Sequence, residues 1–164
     1  KQKTAYEIRN CDWSSDVCSS DLNAGLDESN VQEGFAVGWP EDPLASVRRL
    51  KKELNAAIVL SDSCVRPRRI GVTAFALTVS GYDPLHDQAG KKDLYGKTLS
   101  ITKEAIADQL ATAANTLMGN ADQSTPAVLI RDHGVPMSNF EGWVPGVGAE
   151  EDLFRGVKIG RAHV

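Results

Sequence analysis

The sequence predicts an α+β fold, with a mixed or antiparallel sheet and two main helices. Short apolar runs at 56–60, 71–80 and 127–130 are typical of strands, and two longer segments carry apolar residues at helical spacing. These elements follow one another without the regular strand–helix alternation of a doubly wound parallel sheet. The mixture therefore favours an α+β domain over an α/β domain.

Both ends of the chain resemble translated sequencing adapter rather than evolved protein. Residues 1–22 read KQKTAYEIRNCDWSSDVCSSDL, and residues 158–164 read KIGRAHV. We expect 1–22 to be an adapter-derived, disordered artefact and 158–164 to be adapter-derived as well. Residues 23–157 are then the natural segment, which we interpret as part of a larger domain.

Composition excludes two classes of partner. The chain has a net charge of −4, whereas general nucleic-acid surfaces are basic. It has no run of about 20 apolar residues that would span a bilayer, so neither nucleic acid nor membrane is expected as a partner. Cys64 is the single cysteine between 23 and 157, and a lone thiol without a disulfide framework favours the reducing cytoplasm.

The first elements predicted in the natural segment are a strand at 34–39 and a helix at 43–54. Asp42 is the expected N-cap, and Pro43 suits the first helical position. The expected buried stripe of the helix consists of Leu44, Val47 and either Leu50 or Leu54. Its basic residues are expected to form a solvated face: Arg48, Arg49, Lys51 and Lys52.

The most informative stretch is the apolar run 56–60, which leads directly into Asp62 and Ser63. We expect the strand to end at Asp62. Hard cations prefer oxygen ligands, and guanidinium groups bind phosphate. The nearby arginines at 66, 68 and 69 therefore indicate a metal-assisted phosphate site. Cys64 is interpreted as a half-buried residue of a turn rather than a nucleophile, because no histidine lies near it in sequence.

Further along the chain, the pattern predicts a strand at 71–80 and a long loop at 81–96. A strand at 98–101 is followed by a helix over 103–118, capped by Thr102 and ended by Gly119. Residues 127–130 are predicted to form a strand, and 134–148 to be irregular. Within the long loop, Asp93 and Tyr95 either organise the loop itself or contact substrate.

Six blocks, in order and in register, resemble the coenzyme F420:L-glutamate ligase family, also called F420-0:gamma-glutamyl ligase. They read NAGLDESNV at 23–31, PEDPLASVRRLKKEL at 40–54, IVLSDSCVRPRR at 58–69, GKKDLYGKTLSIT at 90–102, IADQLATAANTLMG at 106–119 and PAVLIRDH at 126–133. The resemblance covers nearly all of 23–133. It implies that the N-terminal portion of the family is absent, so this fragment is expected to be inactive on its own.

The resemblance implies a GTP-dependent ligase that adds L-glutamate to the phospholactyl carboxylate of the coenzyme F420 precursor. GTP would phosphorylate that carboxylate, and the amine of glutamate would attack the resulting acyl phosphate. The implied cofactors are Mg²⁺ or Mn²⁺ together with K⁺, and the implied assembly is a homodimer. Such phosphoryl transfer depends mainly on positioning and charge neutralisation.

The resemblance also implies roles for individual residues. Asp27 and Asp62 match carboxylate ligands of the first metal, and Ser63 matches a hydroxyl near a second metal. Asn30 matches a nucleotide contact, and Arg66 and Arg69 are the candidates for phosphate or for the anionic substrate tail. The family's nucleotide-binding turn corresponds to 118–125, namely Met118, Gly119, Asn120, Ala121, Asp122, Gln123, Ser124 and Thr125.

Two positions depart from the family pattern in ways that affect the site. Asn120 stands where relatives can carry an acidic metal ligand, and an amide oxygen binds a hard cation more weakly. Val65 replaces a glycine, which would strain the backbone if that position required a positive φ. Two alternatives stay open: a paralogous amide-forming ligase with another acceptor, and a non-catalytic dimerisation or binding module.

Overall fold

A computed structural model of the chain describes residues 6–7, 31–66, 68–148 and 150–153. It contains two α-helices and antiparallel sheets, which confirms the predicted α+β class. In chain order the elements are β1 (Tyr6–Glu7), β2 (Phe35–Ala36), α1 (Pro43–Leu54), β3 (Ile58–Val65), β4 (Val72–Tyr82), β5 (His86–Asp87), β6 (Lys103–Glu104), α2 (Ile106–Met118) and β7 (Met137–Trp143).

Helix α1 begins and ends where the sequence predicts. The Asp42 carboxylate accepts a hydrogen bond from the Ala45 backbone N–H at 2.8 Å, which satisfies one of the free donors at the helix start. Pro43 occupies the first turn, and Asn55 ends the helix in the left-handed conformation. Of the predicted stripe, Val47 is fully buried whereas Leu50 and Leu54 are exposed.

The central sheet has three antiparallel strands in the order β3–β4–β7. Strand β4 pairs with β3 along almost its whole length, from Ile58 opposite Ser80 to Val65 opposite Val72. A β-bulge between Leu60 and Ser61 shifts this register. Strand β7 pairs only with the second half of β4, from Thr78 to Tyr82.

The two helices contact opposite faces of β4. Val79 and Ala76 pack with Ala107 and Ala111 of α2 in the main core cluster. The neighbouring Ser80 points to the other face, because side chains alternate along a strand. There, the Ser80 hydroxyl donates to Glu141, as does the Lys51 ammonium of α1. Small alanines at the α2 contact allow the helix to approach the sheet closely.

Helix α2 begins at Ile106, three residues later than predicted. Ala105 precedes it, and no side chain caps it, so the prediction that Thr102 caps the helix is wrong. Its buried residues are Ala107, Ala111 and Ala114, whereas Leu117 is exposed. The most deeply buried residues of the helix are therefore small, whereas Ile106 and Leu110 are partly buried against the same core.

Polar side chains of α2 also bind the half of β4 that β7 does not reach. The Asp108 carboxylate accepts from the Ala76 N–H at 2.8 Å, and the Thr112 hydroxyl donates to the Ala74 carbonyl at 3.0 Å. These two bonds satisfy backbone groups on a strand edge that has no neighbouring strand among the described residues.

Several predicted strands differ in the structure. Residues 98–101 form no strand beyond an isolated bridge between Lys92 and Thr98, and 127–130 form none. The predicted strand at 34–39 is reduced to β2, whose backbone pairs with β1 inside the segment predicted as adapter-derived. Conversely, 134–148 contains β7, and the predicted loop 81–96 contributes the end of β4 and strand β5.

None of the helices within the described ranges is both long enough and apolar enough to cross a membrane.

Candidate functional site

Asp62 lies inside β3 rather than at its end, because β3 continues pairing with β4 as far as Val65. Both carboxylate oxygens of Asp62 accept hydrogen bonds. Oδ2 accepts from the Trp39 indole N–H at 2.6 Å, and Oδ1 accepts from the Ser63 backbone N–H at 2.7 Å. These two bonds fix the orientation of the carboxylate and leave lone pairs on each oxygen for another ligand.

Ser63 lies on the opposite face of the sheet from Asp62. Asp62 is paired with Phe75, whereas Ser63 is paired with Ala74, which belongs to the core cluster beneath α2. Directly opposed residues share a face of an antiparallel sheet. The side chains of Asp62 and Ser63 therefore do not converge on one point, and the metal-binding role of Ser63 stays a prediction.

Arg66 and Arg69 lie in a turn that begins where β3 ends. The Arg69 N–H donates to the Arg66 carbonyl at 3.2 Å, and both side chains are exposed. Val65 is part of the extended strand and has no positive φ, so the predicted strain at Val65 does not arise. Arg68 adopts the left-handed conformation instead, with φ of 60°.

A cleft of about 600 Å³ is lined by residues from the end of β3, the start of β4 and α2. Arg66 lies on one side of it, and Asp108 and Gln109 lie on the other. Three hydroxyl groups complete its polar lining: Thr73, Thr112 and Thr116. Sequence reasoning identified Arg66 but not Asp108, because an aspartate in the first turn of a helix ordinarily serves only the helix end.

The predicted nucleotide-binding turn, 118–125, follows the C-terminal end of α2. Gly119 has φ of 69° and donates its N–H to the Asn115 carbonyl at 2.8 Å. The Gln123 side chain accepts from the Ala121 N–H, also at 2.8 Å. Side-chain bonds within the turn thus hold its shape. Because this is a helix C-terminus, the macrodipole would not attract phosphate here.

Asp93 organises the loop in which it lies. Its carboxylate accepts from the backbone N–H groups of Tyr95 and Lys97, both at 2.9 Å. The Tyr95 side chain is almost fully exposed. These bonds fit the loop-organising interpretation of Asp93, and substrate contact by Asp93 or Tyr95 stays a prediction.

Cys64 is a half-buried residue of β3 rather than of a turn. Burial raises the pKa of its thiol, and the carboxylates of Asp108 and Asp62 raise it further, whereas Arg66 lowers it. The thiolate is the nucleophilic form. The raised pKa therefore disfavours Cys64 as a nucleophile.

The donor types of the predicted metal site suit a hard cation, since carboxylate, hydroxyl and amide oxygens bind Mg²⁺ and Mn²⁺. Asp27 and Asn30 lie outside the described residues. Within the described part, no three His, Cys, Asp or Glu side chains are close enough together to hold a metal ion. Because Asp27 lies outside the described residues, Asp62 is the one carboxylate of the predicted metal-ligand set whose position is described.

Trp39 is the contact to Asp62 that sequence reasoning missed. It lies 23 residues before Asp62, and an isolated tryptophan is ordinarily interpreted as a packing residue. The available signal was chemical, because the indole N–H is a donor that a carboxylate can accept.

The fold and this set of side chains define an α+β domain that carries a preoriented carboxylate and a cleft with charged walls. Residues 16–132 match the family described as F420-0:Gamma-glutamyl ligase. The chain belongs to this family.

Three relatives are each named coenzyme F420:L-glutamate ligase. The chain is 41% identical to the Methanocaldococcus jannaschii protein over 145 residues, which are 85% of this chain and 57% of the relative. It is 40% identical to the Methanothermobacter thermautotrophicus protein, with 85% and 58% covered. It is 42% identical to the Methanopyrus kandleri protein, with 77% and 51% covered. The chain spans a little over half the length of these relatives.

Proposed function

We propose that the protein joins L-glutamate to a carboxylate of the coenzyme F420 precursor, in a GTP-dependent reaction. Family membership and the names of the relatives support the substrates. The carboxylate of Asp62, held between Trp39 and its own strand, is the structural observation that carries the proposal. A carboxylate fixed in this way is preorganised to hold a cation that neutralises triphosphate.

The chemistry follows from the poor reactivity of a free carboxylate. Transfer of the γ-phosphoryl group of GTP to the substrate carboxylate gives an acyl phosphate and GDP. The glutamate amine then attacks the acyl carbon, forms the amide and releases phosphate. A divalent cation held by Asp27 and Asp62 would neutralise the charge on the triphosphate, and K⁺ is the proposed monovalent cofactor. Arg66 and Arg69 would bind anionic oxygens of the substrates.

Activity is tested in a chimera in which this chain replaces the matching segment of the Methanocaldococcus jannaschii relative. We expect GTP-dependent incorporation of L-glutamate, measured as GDP release and as product mass. Asp62→Asn should lower kcat/KM by at least about 100-fold, since even outer partners of metal ligands contribute 10- to 100-fold. Asp87→Asn is the matched control, because Asp87 is an exposed aspartate of β5 whose carboxylate, among the described residues, accepts only from Ala89. Unchanged turnover in Asp62→Asn would remove Asp62 from the site.

Calorimetry on the chain itself distinguishes the ligase from an interaction module. A ligase domain should bind GTP more tightly when Mn²⁺ is present, whereas a non-catalytic module should show no metal-dependent binding of nucleotide. Profiling other amino acids and other carboxylate acceptors in the chimera tests the alternative of a paralogous amide-forming ligase. Sedimentation equilibrium of the chimera tests the proposed homodimer.

A further inference from the structure

Two opposite charges line the cleft between the end of β3 and α2 without pairing with each other. Arg66 and Asp108 both line this cleft, yet neither belongs to any ion pair among the described residues. The cleft therefore presents one cationic and one anionic group that its own walls leave unmatched.

The Asp108 carboxylate, the anionic group of the cleft, is held in place by a hydrogen bond to β4. Oδ1 of Asp108 accepts from the Ala76 N–H at 2.8 Å, which leaves Oδ2 without a partner in the described part of the chain. Beside it, the Thr112 hydroxyl is fixed by the Ala74 carbonyl at 3.0 Å and by the Thr73 hydroxyl at 3.2 Å. A rigid polar wall of this kind loses little conformational entropy when a ligand binds.

We propose that this cleft binds the amino-acid substrate, with Oδ2 of Asp108 accepting from the α-ammonium group and Arg66 binding a carboxylate. The ligand class is an L-α-amino acid with an acidic side chain, and L-glutamate is the member that the relatives' names supply. A zwitterion carries both charges and can bond to an anionic group and a cationic group of the same cleft. The hydroxyl oxygens of the lining threonines can also accept from the ammonium group, because their own protons are donated to Thr112, to Ala74 and to Ala113. This inference rests on the proposed function.

Binding is measured on the 164-residue chain by ligand-observed NMR titration with L-glutamate and with glutarate, which lacks the amine. We expect glutarate to bind at least about 10-fold more weakly than L-glutamate, because it makes no charge-assisted bond to Asp108. Asp108→Asn should lower the affinity for L-glutamate to that for glutarate and leave glutarate binding unchanged. The asparagine carbonyl can still accept from Ala76, so this variant keeps the bond to the strand.

Arg66→Gln should weaken both ligands by about 10-fold or more, since each carries carboxylates. Arg49→Gln and Asp87→Asn are matched controls, because both residues are exposed and lie outside the cleft. Equal affinity for the two ligands in the wild type overturns the inference. So does unchanged L-glutamate affinity in Asp108→Asn, or an absence of L-glutamate binding.

A parallel titration with GTP and Mn²⁺ separates this inference from the proposed function. If Asp108→Asn keeps metal-dependent GTP binding but loses affinity for L-glutamate, the result supports glutamate binding in the cleft. If Asp108→Asn keeps both metal-dependent GTP binding and the wild-type affinity for L-glutamate, the inference about the cleft is contradicted and the proposed function is not. In the chimera, Asp108→Asn should raise the KM for L-glutamate about 10-fold without changing the KM for GTP.

Discussion

At the scale of single residues, the pair formed by Trp39 and Asp62 connects the sequence to the proposed chemistry. The carboxylate was predicted from its place after an apolar run, but its orientation depends on an indole N–H that precedes α1. The contact joins segments 23 residues apart, and sequence spacing alone does not bring them together. The type of side chain was thus predictable, whereas the group that positions it was not.

Trp39→Phe is expected to weaken Mn²⁺ binding by about 10-fold, because the ring is retained while the donor to Oδ2 is lost. Isothermal titration of Mn²⁺ in the presence of GTP measures the change. Trp143→Phe is the control, since Trp143 is a half-exposed tryptophan of β7 whose indole N–H has no such bond to a described residue. Equal affinities in the two variants would contradict a positioning role for Trp39.

Tyr82 is the reverse case, a polar group that the fold buries without a partner. Its hydroxyl has no hydrogen-bonding partner in the described part of the chain, and burial, assisted by Asp108, raises its pKa to about 12. Tyr82→Phe should leave the free energy of unfolding at pH 7 unchanged or raise it by about 1 kcal/mol, because an unpaired buried hydroxyl is costly. Chemical denaturation measures this, with Tyr95→Phe as the exposed control.

The raised pKa of Tyr82 also predicts how the stability of the protein changes at alkaline pH. In the unfolded chain the phenol ionises near its ordinary pKa of 10, whereas in the folded chain it ionises near 12. The wild type should therefore lose stability as the pH rises from 10 to 12, and Tyr82→Phe should lack that part of the loss. A destabilisation of Tyr82→Phe by more than about 1 kcal/mol at pH 7 would indicate a hydroxyl partner and contradict this account.

At the scale of elements, Glu141 joins α1 to the sheet. Its carboxylate accepts from Arg48 at 2.9 Å, from Lys51 at 3.1 Å and from Ser80 at 2.9 Å. Two residues of the basic face of α1 thus pair with β7 and not only with solvent. The hydrogen bonds from Lys51 and Ser80 lower the pKa of Glu141.

The lowered pKa of Glu141 predicts how the stability of the protein changes at acidic pH. A carboxyl group whose pKa is lowered in the folded state stabilises the protein above its ordinary pKa of 4.5. That contribution is lost as the pH falls from 4.5 through the lowered folded value. Glu141→Gln should therefore lose less stability than the wild type between neutral pH and this acidic range. Denaturation at a series of pH values measures the difference.

Glu53→Gln is the control for the acid titration, since the one ion pair of Glu53 in the described part of the chain is a distant surface pair with Arg49 at 3.9 Å. Its stability should follow the wild-type pH profile. Identical profiles for Glu141→Gln and the wild type would contradict the role given to Glu141.

The elements also show which patterns a sequence can reveal. Helix α1 was predictable because its cap, its proline and its periodicity all indicate the same boundaries. Strand β7 was not, because Met137 and Trp143 face outward and Phe140 is the one large apolar residue on its inward face, so its apolar residues do not alternate regularly. The segment 127–130 has the composition of a strand but no partner strand among the described residues, so its apolar run was misleading.

At the scale of the whole molecule, the packing centres on β4. Val79 and Ala107 are fully buried in its main cluster. The segment from β5 to β6 contains Leu94, Tyr95 and Ile101, which are nearly fully exposed. Hydrogen–deuterium exchange should therefore show the strongest protection in β4 and exchange faster by orders of magnitude in 88–102.

A substitution in α1 tests whether β4 and the segment 88–102 exchange by different openings. Val47→Ala, which removes volume beneath α1 at a fully buried position, should speed exchange in β4 by lowering the stability of the whole domain. It should leave the fast exchange of 88–102 nearly unchanged, because that segment already opens locally. Equal protection of the two regions in the wild type would contradict this division.

The bonds that Asp108 and Thr112 make to the uncovered half of β4 have a further consequence. A bare strand edge offers unpaired amides and carbonyls to any passing chain, which is how soluble proteins recruit one another into fibrils. Here a carboxylate and a hydroxyl already occupy the groups of Ala76 and Ala74. The helix therefore also protects this part of β4 against edge-to-edge aggregation.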